Sequence, residues 1–183
     1  MYKISKEFRD IQGIVCISGS KSESNRLLLL RAYTSFFKIF NLSNSDDTQL
    51  MISAIESDKE EINIGHAGTA MRFLTSYFSS ISEKSKVLTG SERMRQRPIS
   101  ILVDALRDLG CDIEYIEKKG FPPLKIMGKN ILSNSVTLPA NVSSQYISSL
   151  MMLGVSLKNG LKIILSSNIT SLPYLLMTKK IIE

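Results

Sequence analysis

With 183 residues and 43% hydrophobic content, the chain is long enough to bury a core and too apolar to be disordered. A formal net charge of +6 favours anionic partners, yet no basic run interleaved with aromatics marks a nucleic-acid surface, which excludes that class. No stretch approaches the roughly 20 apolar residues of a membrane span. The charged N-terminal stretch with Lys3, Lys6, Glu7, Arg9 and Asp10 lacks the apolar core of a signal peptide, so a cytoplasmic location is expected. Cys16 and Cys111 have no metal-ligand spacing and read as reduced thiols.

Residues 13–17 form a short β-type run that leads into Ser18-Gly19-Ser20-Lys21-Ser22-Glu23-Ser24-Asn25-Arg26 and then into four consecutive leucines. Ser20 and Glu23 have capping-box spacing, which starts a helix near Lys21 and turns free N–H groups and a positive dipole end toward the loop. Such an end stabilises phosphate or carboxylate. Lys21 adds a mobile point charge, and Arg26, about one turn on, adds a planar fork for a carboxylate. The helix is expected to end near Phe37, with Leu27, Leu28, Ala32 and Phe36 available for burial.

Four more junctions pass from a β-type run through a polar loop into a helical pattern. Residues 62–64 lead through Gly65-His66-Ala67-Gly68-Thr69 into an apolar helix over 70–81. Residues 86–88 lead through Thr89-Gly90-Ser91-Glu92-Arg93 and Arg95 into a helix with Pro98 near its first turn and Gly110 just past its end. Residues 111–116 and 124–127 follow as a hairpin, joined through Gly120 and Phe121-Pro122-Pro123. Residues 136–138 then lead into Ser143-Ser144-Gln145 and a Met- and Leu-rich helix to about Leu157. Residues 161–165 lead into Ser171-Leu172-Pro173-Tyr174 and a last helix. Each junction puts hydroxyl, amide, glycine or arginine donors at a helix start. Alternating elements argue for an α/β or α+β layering in which those loops converge on one cleft. Arg72, Arg95 and Arg97 read as structural ion-pair partners and stand outside the expected site.

Taken in order, Ser-Gly-Ser-Lys-Ser-x-Ser-Asn-Arg (18–26), Ser45-Asp46-Asp47-Thr48, Ala67-Gly68-Thr69-Ala70-Met71-Arg72, and Leu88-Thr89-Gly90 through Arg93-Met94-Arg95 to Arg97-Pro98-Ile99 resemble the signatures of the 5-enolpyruvylshikimate-3-phosphate synthase family. So do residues 102–106, Phe121-Pro122-Pro123-Leu124, Ser143-Ser144-Gln145 and Ser171-x-Pro173-Tyr174. The resemblance implies a truncated enolpyruvyl transferase-like lobe of repeated βαβαββ units: residues 20–183 form an incomplete substrate-binding lobe, and residues 1–19 a strand segment of a second, mostly absent lobe. The chain then reads as a fragment, inactive alone, of a full-length monomer. The implied reaction moves the enolpyruvyl group of phosphoenolpyruvate to the 5-hydroxyl of shikimate 3-phosphate through a tetrahedral intermediate, releasing phosphate, with neither metal nor cofactor.

By the same resemblance, Lys21 contacts both substrates and contributes electrostatically, Ser22 and Arg26 hold the shikimate ring substituents, and Ser143 and Ser144 hold its 3-phosphate. Gln145 lies between the substrates, Gly68 and Arg93 line the phosphoenolpyruvate pocket, and Ser171 and Tyr174 complete the shikimate-phosphate side. Three residues depart from the family's usual pattern: His66 stands where asparagine is frequent and either donates to the pocket or caps the helix, Phe73 where proline is frequent, and Leu172 where a basic residue is frequent. Two other readings stand beside this one. A UDP-N-acetylglucosamine enolpyruvyl transferase shares the architecture, although Lys21-Ser22 and Ser143-Ser144-Gln145 speak against it. A non-catalytic anion-binding module is the other.

Overall fold

The computed structural model describes Lys3, residues 12–81 and residues 84–183. Two helices come first, α1 (Lys21–Thr34) and α2 (Asp46–Ile55). One complete βαβαββ unit follows: β1 (Glu61–Asn63), α3 (Gly68–Ser80), β2 (Ser85–Thr89), the single turn α4 (Glu92–Arg95), α5 (Ser100–Asp108), β3 (Asp112–Tyr115) and β4 (Leu124–Met127). The chain then opens a second unit with β5 (Ser135–Leu138), α6 (Ser144–Ser156), β6 (Lys162–Leu165) and α7 (Leu172–Ile182).

The four-stranded sheet has the order β1-β2-β4-β3. β1 and β2 are parallel, with Ile62 opposite Leu88, and the expected hairpin pairs Ile113 with Ile126 in antiparallel register. β5 and β6 form a separate parallel pair with Val136 opposite Ile163. Both parallel pairs are joined through a helix, as a parallel connection requires. Inward side chains alternate along β4, where Leu124 and Ile126 are buried and Lys125 and Met127 are not. α1, α3, α6 and α7 pack on one another around a core that includes Leu28, Leu29, Phe73, Leu74, Leu150 and Leu153.

Several expectations fail for physical reasons. Residues 13–17 form no strand: among the described residues no neighbour offers a ladder, and Ile14, Val15 and Ile17 are more than four-fifths exposed. Residues 1–2 and 4–11 of the expected strand segment lie outside the described residues. α1 stops at Thr34 because Ser35 turns left-handed (φ 56°) and its N–H returns to Arg31 O, which leaves Phe36 in solvent. Leu28, Leu29 and Leu30 are buried in succession instead, since α1 meets α2, α3, α6 and α7 and has no single apolar face. The helix expected near Pro98 is α5, which starts two residues after the proline and ends before Gly110, but the polar loop ahead of it carries the unexpected single turn α4. α2, which the sequence reading did not assign, begins at the Ser45-Asp46-Asp47-Thr48 signature with both aspartates at the positive end of its dipole.

Candidate functional site

The first turns of α1, α3, α6 and α7 wall a cavity of about 350 Å³ lined by Lys21, Ser22, Arg26, Thr69, Ser143, Ser144, Gln145, Ser171 and Tyr174. Eight residues that the sequence singled out therefore come together here. Thr69 was missed, and it joins through the amide of Gln145, whose Nε2 donates to Thr69 Oγ1 (3.1 Å). The four helix starts follow from local sequence. Ser20 caps α1 by accepting from Glu23 N at 3.4 Å, and Ser143 caps α6 by accepting from Gln145 N at the same distance. Ser144 is the first helical residue, and its hydroxyl makes no hydrogen bond among the described residues. Ser171 precedes α7 in a left-handed conformation (φ 57°), with its hydroxyl free of the cap. The Tyr174 hydroxyl has no hydrogen bond among the described residues either, and the Arg26 guanidinium stands over its ring at 5.9 Å from the centroid.

Arg26 is 2% exposed, yet among the described residues no carboxylate pairs with it. Burial lowers its pKa, and the nearby Tyr174 opposes that shift. Nε donates to Thr178 Oγ1 (2.7 Å), Nη1 to Ser22 O (2.8 Å) and Nη2 to Ser148 Oγ (3.2 Å). The face of Phe73, one of the departing residues, lies 5.5 Å from Cζ. Lys21 is half-exposed and lies 3.6 Å from Asp47 at the start of α2, which keeps the ammonium at the cavity mouth.

A second cavity, about 370 Å³, is lined by His66, Arg93, Met94 and Arg97. The first turn of α3 separates the two, with Thr69 on one wall and Gly68 against the other. A Cβ at Gly68 would run into the Arg97 guanidinium, with Cζ only 2.8 Å away, so glycine is required for that arginine to lie where it does. This overturns the reading of Arg97 as an ion-pair partner: neither it nor Arg93 makes an ion pair or a side-chain hydrogen bond among the described residues. Arg95 does pair, with Glu117 at 2.9 Å. Arg72 is structural in another way, buried and donating to Gly68 O (3.2 Å) and Pro98 O (3.1 Å), which ties the start of α3 to the loop that carries Arg97. His66 does not cap α3, since Ala67 occupies that position. Its Nδ1 lies 2.8 Å from Ser91 Oγ, the cap of α4.

Neither cavity has a carboxylate in its lining, and both carry guanidinium groups. Four helix N-termini add partial positive charge to the first. The arrangement suits two anions held side by side. Cys111 takes no part in either: it is buried just before β3, and burial pushes its thiol up to about 12, far from the thiolate a nucleophile requires.

A family model described as EPSP synthase (3-phosphoshikimate 1-carboxyvinyltransferase) matches residues 52–183. A 3-phosphoshikimate 1-carboxyvinyltransferase from Bacteroides fragilis is 49% identical over 94% of this chain and 42% of its own length. The pentafunctional AROM polypeptide of Schizosaccharomyces pombe is 43% identical over 76% of this chain and 11% of its own. An EPSP synthase structure from Acinetobacter baumannii superposes with a TM-score of 0.72 at 20% identity, covering 92% of this chain and 43% of that one, and so shares the fold. The chain spans less than half the length of these relatives. With an ordered βαβαββ unit, the start of a second, and a family match over residues 52–183, the chain belongs to the EPSP synthase family.

Proposed function

We propose that this chain is the acceptor-binding part of a 3-phosphoshikimate 1-carboxyvinyltransferase, which moves the enolpyruvyl group of phosphoenolpyruvate to the 5-hydroxyl of shikimate 3-phosphate and releases phosphate. The observation that carries the reading is the pair of adjacent, cation-lined and acid-free cavities sharing the first turn of α3. Two polyanions repel in water. Preorganised guanidinium groups and N–H donors offset that repulsion, hold the reactants in contact and stabilise the charge that builds as phosphate departs.

In this reading the larger hydroxyl set takes shikimate 3-phosphate. Ser143 and Ser144 receive its phosphate at the start of α6, Ser171 and Tyr174 close the same side from α7, and Ser22 and Arg26 receive ring oxygens. Arg93, with Arg97 and His66, takes phosphoenolpyruvate, and Gly68 keeps that space open. Lys21 and Gln145 stand between the two and touch both. Residues 12–19 belong to a second lobe of the same protein, which covers their exposed apolar side chains and supplies the proton-transfer groups; the whole protein is a cytoplasmic monomer.

Calorimetric titration of this chain tests the reading, with shikimate 3-phosphate as ligand and UDP-N-acetylglucosamine as control. Saturable binding of the first alone, weakened in Lys21→Ala and Ser144→Ala, is expected, together with no phosphate release from phosphoenolpyruvate. Binding of the UDP-sugar in its place overturns the acceptor assignment.

A further inference from the structure

The residues that line the hydroxyl cavity have partners one helical turn deeper. Ser22 precedes Arg26 by four positions on α1, Ser144 precedes Ser148 on α6, and Tyr174 precedes Thr178 on α7. Residues four apart share a helix face, so the second residue of each pair lies beneath the first. All three second residues are buried, and they meet one another. Arg26 Nε donates to Thr178 Oγ1, Arg26 Nη2 donates to Ser148 Oγ, and the two hydroxyl oxygens are 2.9 Å apart. Thr178 Oγ1 also lies 2.8 Å from Tyr174 O.

This triad has an unusual charge balance. A buried cation is ordinarily paired with an acid, because desolvating it alone is costly. Among the described residues Arg26 has none, and its charge meets only two hydroxyls, one carbonyl and two ring faces. Three of its five N–H groups are taken, which leaves one on each terminal nitrogen for the cavity that the guanidinium lines.

We propose that Ser148 and Thr178 are positioning residues for Arg26: they fix the plane of its guanidinium so that the two remaining N–H groups present to an anionic ligand in the hydroxyl cavity. The inference deepens the proposed function and rests on it for the identity of that ligand, shikimate 3-phosphate. It also gives α7 a second role. Besides lending Ser171 and Tyr174 to the lining, α7 orients a charge on α1, so its docking and the readiness of the acceptor site are one event.

The test uses the whole chain with Thr178→Val, which keeps shape and removes the hydroxyl, Thr178→Ser, which restores it, and Ser148→Ala. Two readouts are taken: affinity for shikimate 3-phosphate, and the exchange rate of the Arg26 Nε–H, assigned by its loss in Arg26→Lys. The expected result is a slowly exchanging Nε–H in the wild type that exchanges rapidly in Thr178→Val, with affinity lowered about tenfold. Thr178→Ser recovers both, a rescue that a packing role of the threonine methyl would not give. Unchanged affinity and exchange in Thr178→Val overturn the proposal. Absence of wild-type binding counts against the functional reading instead, and the Nε–H signal then decides by itself whether the hydroxyl pair holds the guanidinium.

Discussion

The two cavities hold arginines in opposite ways. In the hydroxyl cavity Arg26 is 2% exposed and fastened at three nitrogens to α1, α6 and α7, whereas in the neighbouring cavity the Arg93 and Arg97 side chains are exposed and make no ion pair or hydrogen bond among the described residues. A fastened guanidinium has lost its rotamer entropy on folding and presents its donors without further cost, while a free one must be ordered by the ligand. Half of this site is therefore built by the fold and half is left for the ligand to organise. The same chain shows two stages of preorganisation side by side.

The largest expected effect comes from breaking the fastened half. Arg26→Ala removes the central donor, leaves a void among Phe73, Ser148 and Thr178, and is expected to lower affinity for shikimate 3-phosphate more than a hundredfold. Thermal unfolding should show a loss of about 2 kcal/mol in the same variant. Gly68→Ala comes next and should separate the halves. The added Cβ meets only the far end of Arg97, which swings aside at little cost to the fold. Phosphoenolpyruvate affinity should fall by roughly tenfold to thirtyfold while shikimate 3-phosphate affinity stays within a factor of about two. Equal losses for both ligands would mean that the two cavities are not independent.

The difference between the halves also explains what a reader of the sequence could see. Lys21, Ser22, Ser143, Ser144, Ser171 and Tyr174 sit beside caps, glycines or prolines that mark helix starts locally, and the start of α1 at Lys21 follows from Ser20 and Glu23 alone. The hairpin of β3 and β4 and the alternation of strands and helices were legible for the same reason. Thr178 was not, because its meaning depends on an arginine 152 positions away. Its four-residue spacing from Tyr174, matched by Ser148 after Ser144, was the available signal. Arg97 was missed because its freedom depends on what α3 places in front of it, namely a glycine. Residues 13–17 misled for the converse reason: β-type composition describes a pleated surface in contact with a neighbour, and among the described residues no neighbour is there.

A third experiment measures how loosely the open half is held. Arg93→Ala and Arg97→Ala should leave the thermal transition within about half a kcal/mol of the wild type, since both side chains are exposed and neither makes an ion pair or side-chain hydrogen bond among the described residues. Each should weaken phosphoenolpyruvate binding about tenfold. Raising ionic strength from about 0.05 M to about 0.5 M should erode much of that contribution, because exposed charges are screened over a Debye length of roughly 10 Å at 0.1 M. Arg26 lies out of solvent, and its share of shikimate 3-phosphate affinity should be less sensitive to salt. If the salt slopes of the two ligands coincide, burial does not distinguish the halves.

The smallest effect concerns the hydroxyl that holds the imidazole in the open half. Ser91 Oγ accepts from Met94 N at 3.3 Å and lies 2.8 Å from His66 Nδ1, so a single hydroxyl both starts α4 and orients the imidazole beside Arg93 and Arg97. Ser91→Ala removes a cap, which costs about 1 kcal/mol of stability. It also frees the imidazole to rotate away from the guanidinium groups, which should lower phosphoenolpyruvate affinity by about threefold. His66→Asn separates the two consequences, because it leaves the cap bond to Met94 in place and changes only the group facing the ligand. Loss of affinity in Ser91→Ala without loss in His66→Asn would show that the cap matters through the placement of Arg93 on its single helical turn, and that the imidazole does not order the open cavity.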